Sequence, residues 1–357
     1  MKGGKGVSAA AGVMIAIAPI TTLIATILGG GSWGTTLGVI LSLRDVPVTL
    51  WTRNEQFANK LATDRENKTY LPGIHFPKTL VIESDLHKAI IAAEIIVIAI
   101  PSQFIRNILS EIVSYSNSLN WIRKGTIVIV SKGIEVKTGK RMSEVVKEIT
   151  GLPKKQICIL YGPSHAEEVS KFHPTAVVFA SSAEETAKKV QKFFQSDMFR
   201  GYTNTDIIGV EIAGSIKNIM AIASGILTGL GFGDNAKAAL ITRGCAEIKR
   251  FGVALGGKSE TFSGLAGIGD LVVTCMSNHS RNRQLGISIA NGKSLEAISN
   301  STNMIAEGVE TTRATFFLAK KLDIEMPITT AVYNVLFKHH DPLETIKKLM
   351  SRDSKAE

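Results

Sequence analysis

One stretch constrains this chain more than any other: Thr22–Gly38, TLIATILGGGSWGTTLG. Its apolar run Leu23–Leu28 predicts a short β-strand, followed by a glycine-rich turn and the start of a helix. Gly29, Gly31 and Gly34 stand at the G-x-G-x-x-G spacing. The first glycine permits a tight turn, the second lets the backbone approach a pyrophosphate, and the third lets helix and strand pack closely. The helix N-terminus then offers unpaired N–H groups and a positive dipole end to phosphates. Glycine-rich loops without ligands are common, so the weight rests on context. A strand before the turn and a helix after it point to dinucleotide binding.

At 357 residues the chain is long enough for about two domains, and 45% hydrophobic against 20% charged residues gives ample core. A net charge of +10 suits anionic partners, either nucleic acid or phosphorylated metabolites. The lysines are dispersed and aromatics make up only 6%, so there is no basic stripe with stacking residues, and nucleic acid is not the expected partner. Cys158, Cys245 and Cys275 fit no zinc or redox spacing; they read as buried thiols in a reducing compartment, and no metal site is expected.

The N-terminus needs its own account. No charge occurs between Lys5 and Arg44, and Ala9–Leu28 is apolar apart from threonines. The strand claims Leu23–Leu28, however, and the remaining Val7–Ile20 is short of the ~20 residues a bilayer span needs and is broken by Pro19. Residues 1–21 are therefore expected to be a loosely ordered or surface-packed extension, or the product of a start codon placed too early. No membrane insertion is expected, and the location is read as cytoplasmic.

Beyond the glycine turn, helical pattern (Thr35–Leu43) leads to a second strand, Pro47–Trp51. That strand ends at Thr52-Arg53-Asn54 without the acidic residue that would hold a ribose 2′-hydroxyl. Arg53 could pair with a 2′-phosphate, which favours NADP; Glu55, two residues on, keeps NAD open. Asn67–Pro77 has the composition of a surface loop. Ile95–Ile100, Thr126–Val130, Ile157–Leu160 and Ala176–Ala180 read as further strands, the first three with the continuous apolar runs of a parallel sheet buried on both faces. Their ends, Pro101-Ser102, Ser131-Lys132-Gly133 and Gly162-Pro163-Ser164, fall at the carboxyl edge where ligands gather. From Asp206 onward only helical spacing recurs, broken by glycine-rich turns. The expected plan is an α/β parallel-sheet dinucleotide-binding domain over 22–205 packed on an all-α substrate domain over 206–357, with a cleft between them.

Lys217 is the leading candidate for chemistry. It sits in an apolar helix, EIAGSIKNIMAIASG, with small same-face neighbours Ala213, Gly214, Ala221 and Ser224 that would leave room for a ligand beside the amine. Desolvation should lower its pKa from about 10.4 and suit it to acid–base work near neutrality. A lysine snorkelling from a helix edge is the plain alternative. Gly264–Asp270, GLAGIGD, ends in a carboxylate that could orient an amine or simply cap a helix. Ser280-Arg281-Asn282-Arg283, ahead of another helix, makes either a phosphate site with a guanidinium fork or an ordinary N-cap with solvated arginines.

The blocks GGGSWGTTLG, PSQF, SKGIE, GPSHAEEV, VEIAGSIKNIMAIASGI, NAKAALITRG, GLAGIGDLVVTC, SRNRQLG and IAEGVETT, in this order over residues 22–350, closely resemble the bacterial NAD(P)-dependent glycerol-3-phosphate dehydrogenases. The resemblance implies a Rossmann-type N-terminal domain, an all-α C-terminal domain and a homodimer. It implies NADP or NAD as cofactor and a small phosphorylated substrate. By position, Gly29, Gly31, Ser32, Trp33 and Gly34 would run along the cofactor, with Arg53 near its adenosine end and Ala166 on the nicotinamide side. Lys132 would touch cofactor and substrate; Gly162 and Ser164 would line the substrate pocket. Lys217 would be the proton donor and acceptor. Asp270, Ser280, Arg281 and Asn282 would complete the substrate site, Arg281 also touching cofactor, and Ile305 and Glu307 would close over the cofactor. The implied reaction is reduction of dihydroxyacetone phosphate to sn-glycerol 3-phosphate, supplying glycerophospholipid synthesis. Two features stand apart: the first twenty or so residues, and His165, expected to alter pocket polarity or pH response. A keto-acid reductase of the same two-domain plan, or an NADP-binding sensor without catalysis, are the alternatives; neither needs both the SRNR segment and Lys217 with Asp270.

Overall fold

The computed structural model describes residues 23–115, 125–301 and 305–353; the N-terminal extension read over 1–21 lies outside them. The strands, in chain order, are β1 (Ala25–Leu28), β2 (Val48–Trp51), β3 (Glu66–Asn67), β4 (Leu71–His75), β5 (Leu80–Glu83), β6 (Ile95–Ile98), β7 (Thr126–Ile129), β8 (Ile157–Tyr161), β9 (Thr175–Ala180) and β10 (Phe199–Asn204). Eight of them form one sheet in the order β10-β9-β8-β7-β6-β1-β2-β5. Pairing is parallel from β5 across to β8, and β9 then joins β8 antiparallel. The sheet is therefore mixed at one side, where sequence alone predicts continued parallel alternation.

Helices α1 (Ser32–Ser42), α2 (Glu55–Asp64), α3 (Leu86–Ile90), α4 (Ile105–Ser114), α5 (Met142–Thr150), α6 (Ala166–Val169) and α7 (Glu184–Phe194) accompany the strands. Strand residues alternate between two apolar layers. Ile96, Ile98, Ile127, Ile129, Ile157 and Ile159 pack with α4 and α5, while Ile95, Val97, Val128, Cys158 and Leu160 pack with α1 and α7. Burial on both faces explains the unbroken apolar runs.

The helical region comprises α8 (Ile207–Gly229), α9 (Asp234–Ala254), α10 (Asp270–Met276), α11 (Arg281–Ala290), α12 (Leu295–Asn300), α13 (Gly308–Lys321), α14 (Pro327–Lys338) and α15 (Pro342–Met350). Asp206 starts α8 by accepting bonds from Gly209 N at 2.9 Å, Lys258 N at 2.7 Å and Thr261 Oγ1 at 2.6 Å. Among the described residues α8 alone is long and apolar enough to cross a membrane, but most of it is buried as the central helix of the core. Val210 of α8 and Ala266 join the apolar layer of the sheet, so the two halves share packing.

Three sequence readings need correction. Asn67–Pro77 is not merely a surface loop: β3 and β4 pair there, and Asn67 is fully buried. Its amide donates to Gly30 O at 2.9 Å and Thr35 Oγ1 at 2.8 Å, bracing the glycine turn. Gly264–Gly269 is not a simple turn; Leu265–Gly269 forms one π-helical turn running into α10. Cys158 and Cys275 are buried as expected, whereas Cys245 is partly exposed.

Candidate active site

A cleft of about 830 Å³ runs between the carboxyl edge of the sheet and the helical region. At one end lies the glycine turn. Gly29 holds φ +123°, where a Cβ would press on Ala99 O at 2.6 Å, so this corner requires glycine. A Cβ at Gly31 would meet nothing within 4 Å, which leaves an open approach to the backbone. A Cβ at Gly34 would overlap the Gly29 carbonyl; Gly34 therefore serves helix–strand packing and stands behind the wall rather than on it. This division of labour fits a dinucleotide pyrophosphate at the α1 N-terminus. Ser32, Trp33 and Arg53 line the same end, and Asn54 caps α2 through Phe57 N at 2.8 Å.

The floor of the cleft holds three charges. Lys217 is 5% exposed and Asp270 1%. Lys217 Nζ donates to Asp270 Oδ1 and to Thr274 Oγ1, the latter at 2.6 Å. Lys132 Nζ donates to Asp270 Oδ2 at 2.8 Å and to Gly162 O at 3.3 Å. Asp270 is the first residue of α10, with Gly269 at the N-cap, so it does not cap the helix; both its oxygens hold ammonium groups. Desolvation would raise its carboxyl, but the charges of Lys132 and Lys217 outweigh this and hold it below the ordinary range. Desolvation lowers Lys217 to about 7; Asp270 opposes the shift and Lys132 adds to it. Lys217 is thus no snorkelling lysine.

The small residues around Lys217 act differently from expectation. Ala213 and Ala221 are buried, a Cβ at Gly214 would overlap the Tyr161 ring, and Ser224 Oγ donates to Cys275 O at 2.8 Å. Protein fills that face. The room for a ligand lies instead beyond the ammonium, in the cleft.

The far end is the N-terminus of α11. Ser280 is its N-cap, accepting from Arg283 N at 3.3 Å, and its hydroxyl proton remains available. Asn282 Oδ1 accepts from Gly308 N at 2.9 Å, which aims its amide group as a donor. Arg281 is exposed and, among the described residues, donates a hydrogen bond to Ile305 O alone, at 3.4 Å. Ser280, Arg281 and Asn282 line the cleft with Ile305. Glu307 crosses it, accepting from Ser102 N at 3.1 Å and Ser102 Oγ at 2.6 Å. Burial raises the Glu307 carboxyl, and the Ser102 bonds oppose that shift.

Lys132, Ser164, Ala166, Lys217 and Asp270 also lie on the wall; Gly162 does not, and meets the site through its carbonyl. Sequence reasoning missed Thr274, four residues after Asp270 on one helix face, a spacing that could have revealed it. It also missed Tyr161, whose buried ring lies 5.4 Å from Lys132 Nζ and whose hydroxyl donates to Ser131 O. Tyr161 carries no sequence signal, because it reads as strand core.

Residues 24–187 match the family model described as NAD-dependent glycerol-3-phosphate dehydrogenase N-terminus, and residues 206–347 the one for its C-terminus. A glycerol-3-phosphate dehydrogenase (NAD(P)+) from Chlorobium phaeobacteroides (strain BS1) is 54% identical over 335 residues, 93% of this chain and 98% of its own. Another from Salinibacter ruber is 48% identical, covering 93% of this chain and 95% of its own. The crystal structure of glycerol-3-phosphate dehydrogenase from Coxiella burnetii superposes with a TM-score of 0.87 at 37% identity, over 93% of this chain and 99% of that one. With likeness of this extent running through both halves, the chain belongs to the NAD-dependent glycerol-3-phosphate dehydrogenase family.

Proposed function

We propose that this chain reduces dihydroxyacetone phosphate to sn-glycerol 3-phosphate at the expense of NADPH or NADH, with Lys217 moving the proton. The observation that carries the reading is the buried Lys217–Asp270–Lys132 cluster on the floor of a cleft that joins a dinucleotide-type glycine turn to an arginine-bearing helix N-terminus.

The glycine turn, with Ser32 and Trp33 beside it, would hold the cofactor's pyrophosphate; Ala166, Ile305, Glu307 and Lys132 would border its nicotinamide half. Arg53 lines the cleft and Glu55 does not, which supports contact with a 2′-phosphate. When bound, the nicotinamide supplies hydride to C2 of the ketone. The C2 oxygen would then be a strongly basic alkoxide, and Lys217 Nζ gives it a proton as it forms. In reverse, neutral Lys217 takes the proton from the C2 hydroxyl. A pKa of about 7 lets one amine serve both directions. Asp270 orients the amine and offsets the repulsion between the two lysines. Arg281, with Ser280 and Asn282, holds the phosphate, so binding energy remote from C2 fixes the reacting carbon in place. Ser164 and the Gly162 carbonyl complete the substrate side.

Division of the chain near residue 205 into a cofactor domain and a substrate domain, behind an extension over 1–21, belongs to this reading. So do a homodimer, a cytoplasmic location and supply of the glycerophospholipid backbone; family resemblance supports them. The direct test is stereospecific NAD(P)H oxidation with dihydroxyacetone phosphate. Lys217→Ala should lower kcat by about 10²-fold or more while cofactor binding, followed by nicotinamide fluorescence, persists. Near-normal turnover would remove Lys217 from the mechanism.

A further inference from the structure

Lys132 reaches the floor of the cleft on a flexible four-carbon stem, and a charge on such a stem keeps one position only where its surroundings fix it. Two of its three N–H groups have partners, Asp270 Oδ2 at 2.8 Å and Gly162 O at 3.3 Å. The third is left for the cleft, which Lys132 borders. Tyr161, the last residue of β8, is fully buried and does not border the cleft. Its ring lies under the same ammonium, with Nζ 5.4 Å from the centroid. Its hydroxyl donates to the carbonyl of Ser131, the residue before Lys132. A Cβ at Gly214 would come within 2.4 Å of the ring, so α8 lies directly on Tyr161, three residues before Lys217. One side chain therefore touches the main chain beside Lys132, the head group of Lys132 and the helix that carries Lys217.

We propose that Tyr161 is a positioning residue: its ring face holds the Lys132 ammonium by a cation–π contact, and so fixes where Lys132 meets Asp270 and the substrate. The inference rests on the function proposed above. The Lys132 side chain is only 18% exposed, and a cation–π contact is worth more when the cation is desolvated. Burial, and then the carboxylates of Glu211, Glu307 and Asp270, pushes the phenol well above its ordinary range, so it stays a neutral donor to Ser131 O. The contact reaches Lys217 through Asp270. A Lys132 released from the ring would spend less time on Asp270, which would then serve Lys217 more fully. Lys132 lowers Lys217 and Asp270 raises it, so both changes favour the charged form of Lys217. The other titratable groups acting on Lys217 are uncharged at neutral pH: burial, first among the causes, lowers His165 to about 4 and raises Cys275 to about 12.

Ring electronics isolate this contact from packing. Tyr161→Phe keeps the ring and gives up the bond to Ser131 O, and it is the reference for phenylalanines bearing one, two and three ring fluorines placed at the same position. Each fluorine drains the negative face of the ring at nearly constant shape. Relative to the reference, kcat/KM for dihydroxyacetone phosphate should fall stepwise, by about threefold or more with three fluorines. The pH limb of kcat/KM for reduction should move to higher pH along the series. Repeated with Lys132→Met, the series should be flat in both respects, since the cation is gone. A flat series with Lys132 present, a limb that stays put or moves to lower pH, or an equally steep series without Lys132 overturns the assignment. No turnover of dihydroxyacetone phosphate by the native chain would instead overturn the function itself.

Discussion

Lys217 and Lys132 share one carboxylate, and the sharing sets the pH at which each direction of the reaction runs. Lys217 is held near 7 chiefly by burial, with Lys132 pushing the same way and Asp270 opposing. Ketone reduction needs the protonated amine, so its kcat/KM, which follows the free enzyme, should fall as pH rises through about 7; for alcohol oxidation, which needs the neutral amine, kcat/KM should fall as pH drops through the same range. Lys132→Met removes a neighbouring cation and leaves Asp270 to Lys217 alone. Both changes favour the charged amine, so the limb for reduction should move to higher pH; a limb moving to lower pH would show that Lys132 does not bear on Lys217. At the other end of the cleft, Arg281→Ala should weaken dihydroxyacetone phosphate binding by about 1.5–3 kcal/mol, the range for a charge-assisted bond. Unphosphorylated dihydroxyacetone should hardly notice. Equal losses on both would mean that Arg281 holds something other than phosphate.

At the scale of elements, the site depends on how closely α11 lies on α8. A Cβ at Gly286 would overlap the Ile222 carbonyl, and one at Gly225 would overlap the Arg283 carbonyl. These two glycines let the helices touch backbone to backbone, and the contact brings the N-terminus of α11 over Lys217. Gly286→Ala should force α11 away and carry Arg281 and Asn282 with it. The expected result is a rise in KM for the phosphorylated ketone together with a stability loss of about 1–3 kcal/mol from overpacking. Unchanged KM and melting temperature would show that the crossing tolerates a methyl group. Such crossings also mark where sequence reading stops. The inner strands were legible because burial on both faces leaves unbroken apolar runs, as in Ile95–Ile98. Edge strands β5 and β10 were not, since most of their residues are exposed or only partly buried and β10 contains Arg200, Gly201 and Asn204. Lys217 and Asp270 could be singled out by a charge in an apolar helix and a carboxylate after glycines. Their meeting with Lys132, 138 residues from Asp270 in sequence, comes only from packing.

At the scale of the whole molecule, Glu211 and Glu307 tie the sheet to the helices beside the Asp270–Lys132 pair, and they should behave in opposite ways. Glu211 of α8 is fully buried away from the cleft; it accepts from Ser143 N at 2.8 Å and from the Arg141 guanidinium at the start of α5. Glu307 sits at the cleft itself, bonded to Ser102 after β6. Removing Glu211 leaves the buried Ser143 N–H unpaired and the mostly buried Arg141 guanidinium with only Glu144, at 3.1 Å, and Ser143 Oγ, at 2.9 Å, among the described residues. Glu211→Ala should therefore cost about 3–5 kcal/mol in denaturant or thermal unfolding, while kcat of the folded fraction stays near native, because neither Glu211 nor Arg141 borders the cleft. Ser102→Ala removes one hydroxyl bond to Glu307 and leaves the backbone bond in place. Its stability cost should be only about 0.5–1.5 kcal/mol, the range for one hydrogen bond. The effect on KM for cofactor should be larger in proportion, since Glu307 is freed at the wall where the nicotinamide half is proposed to lie. If Glu211→Ala instead changes KM with little loss of stability, the distant tie sets the opening of the cleft, and the two carboxylates would have to exchange roles.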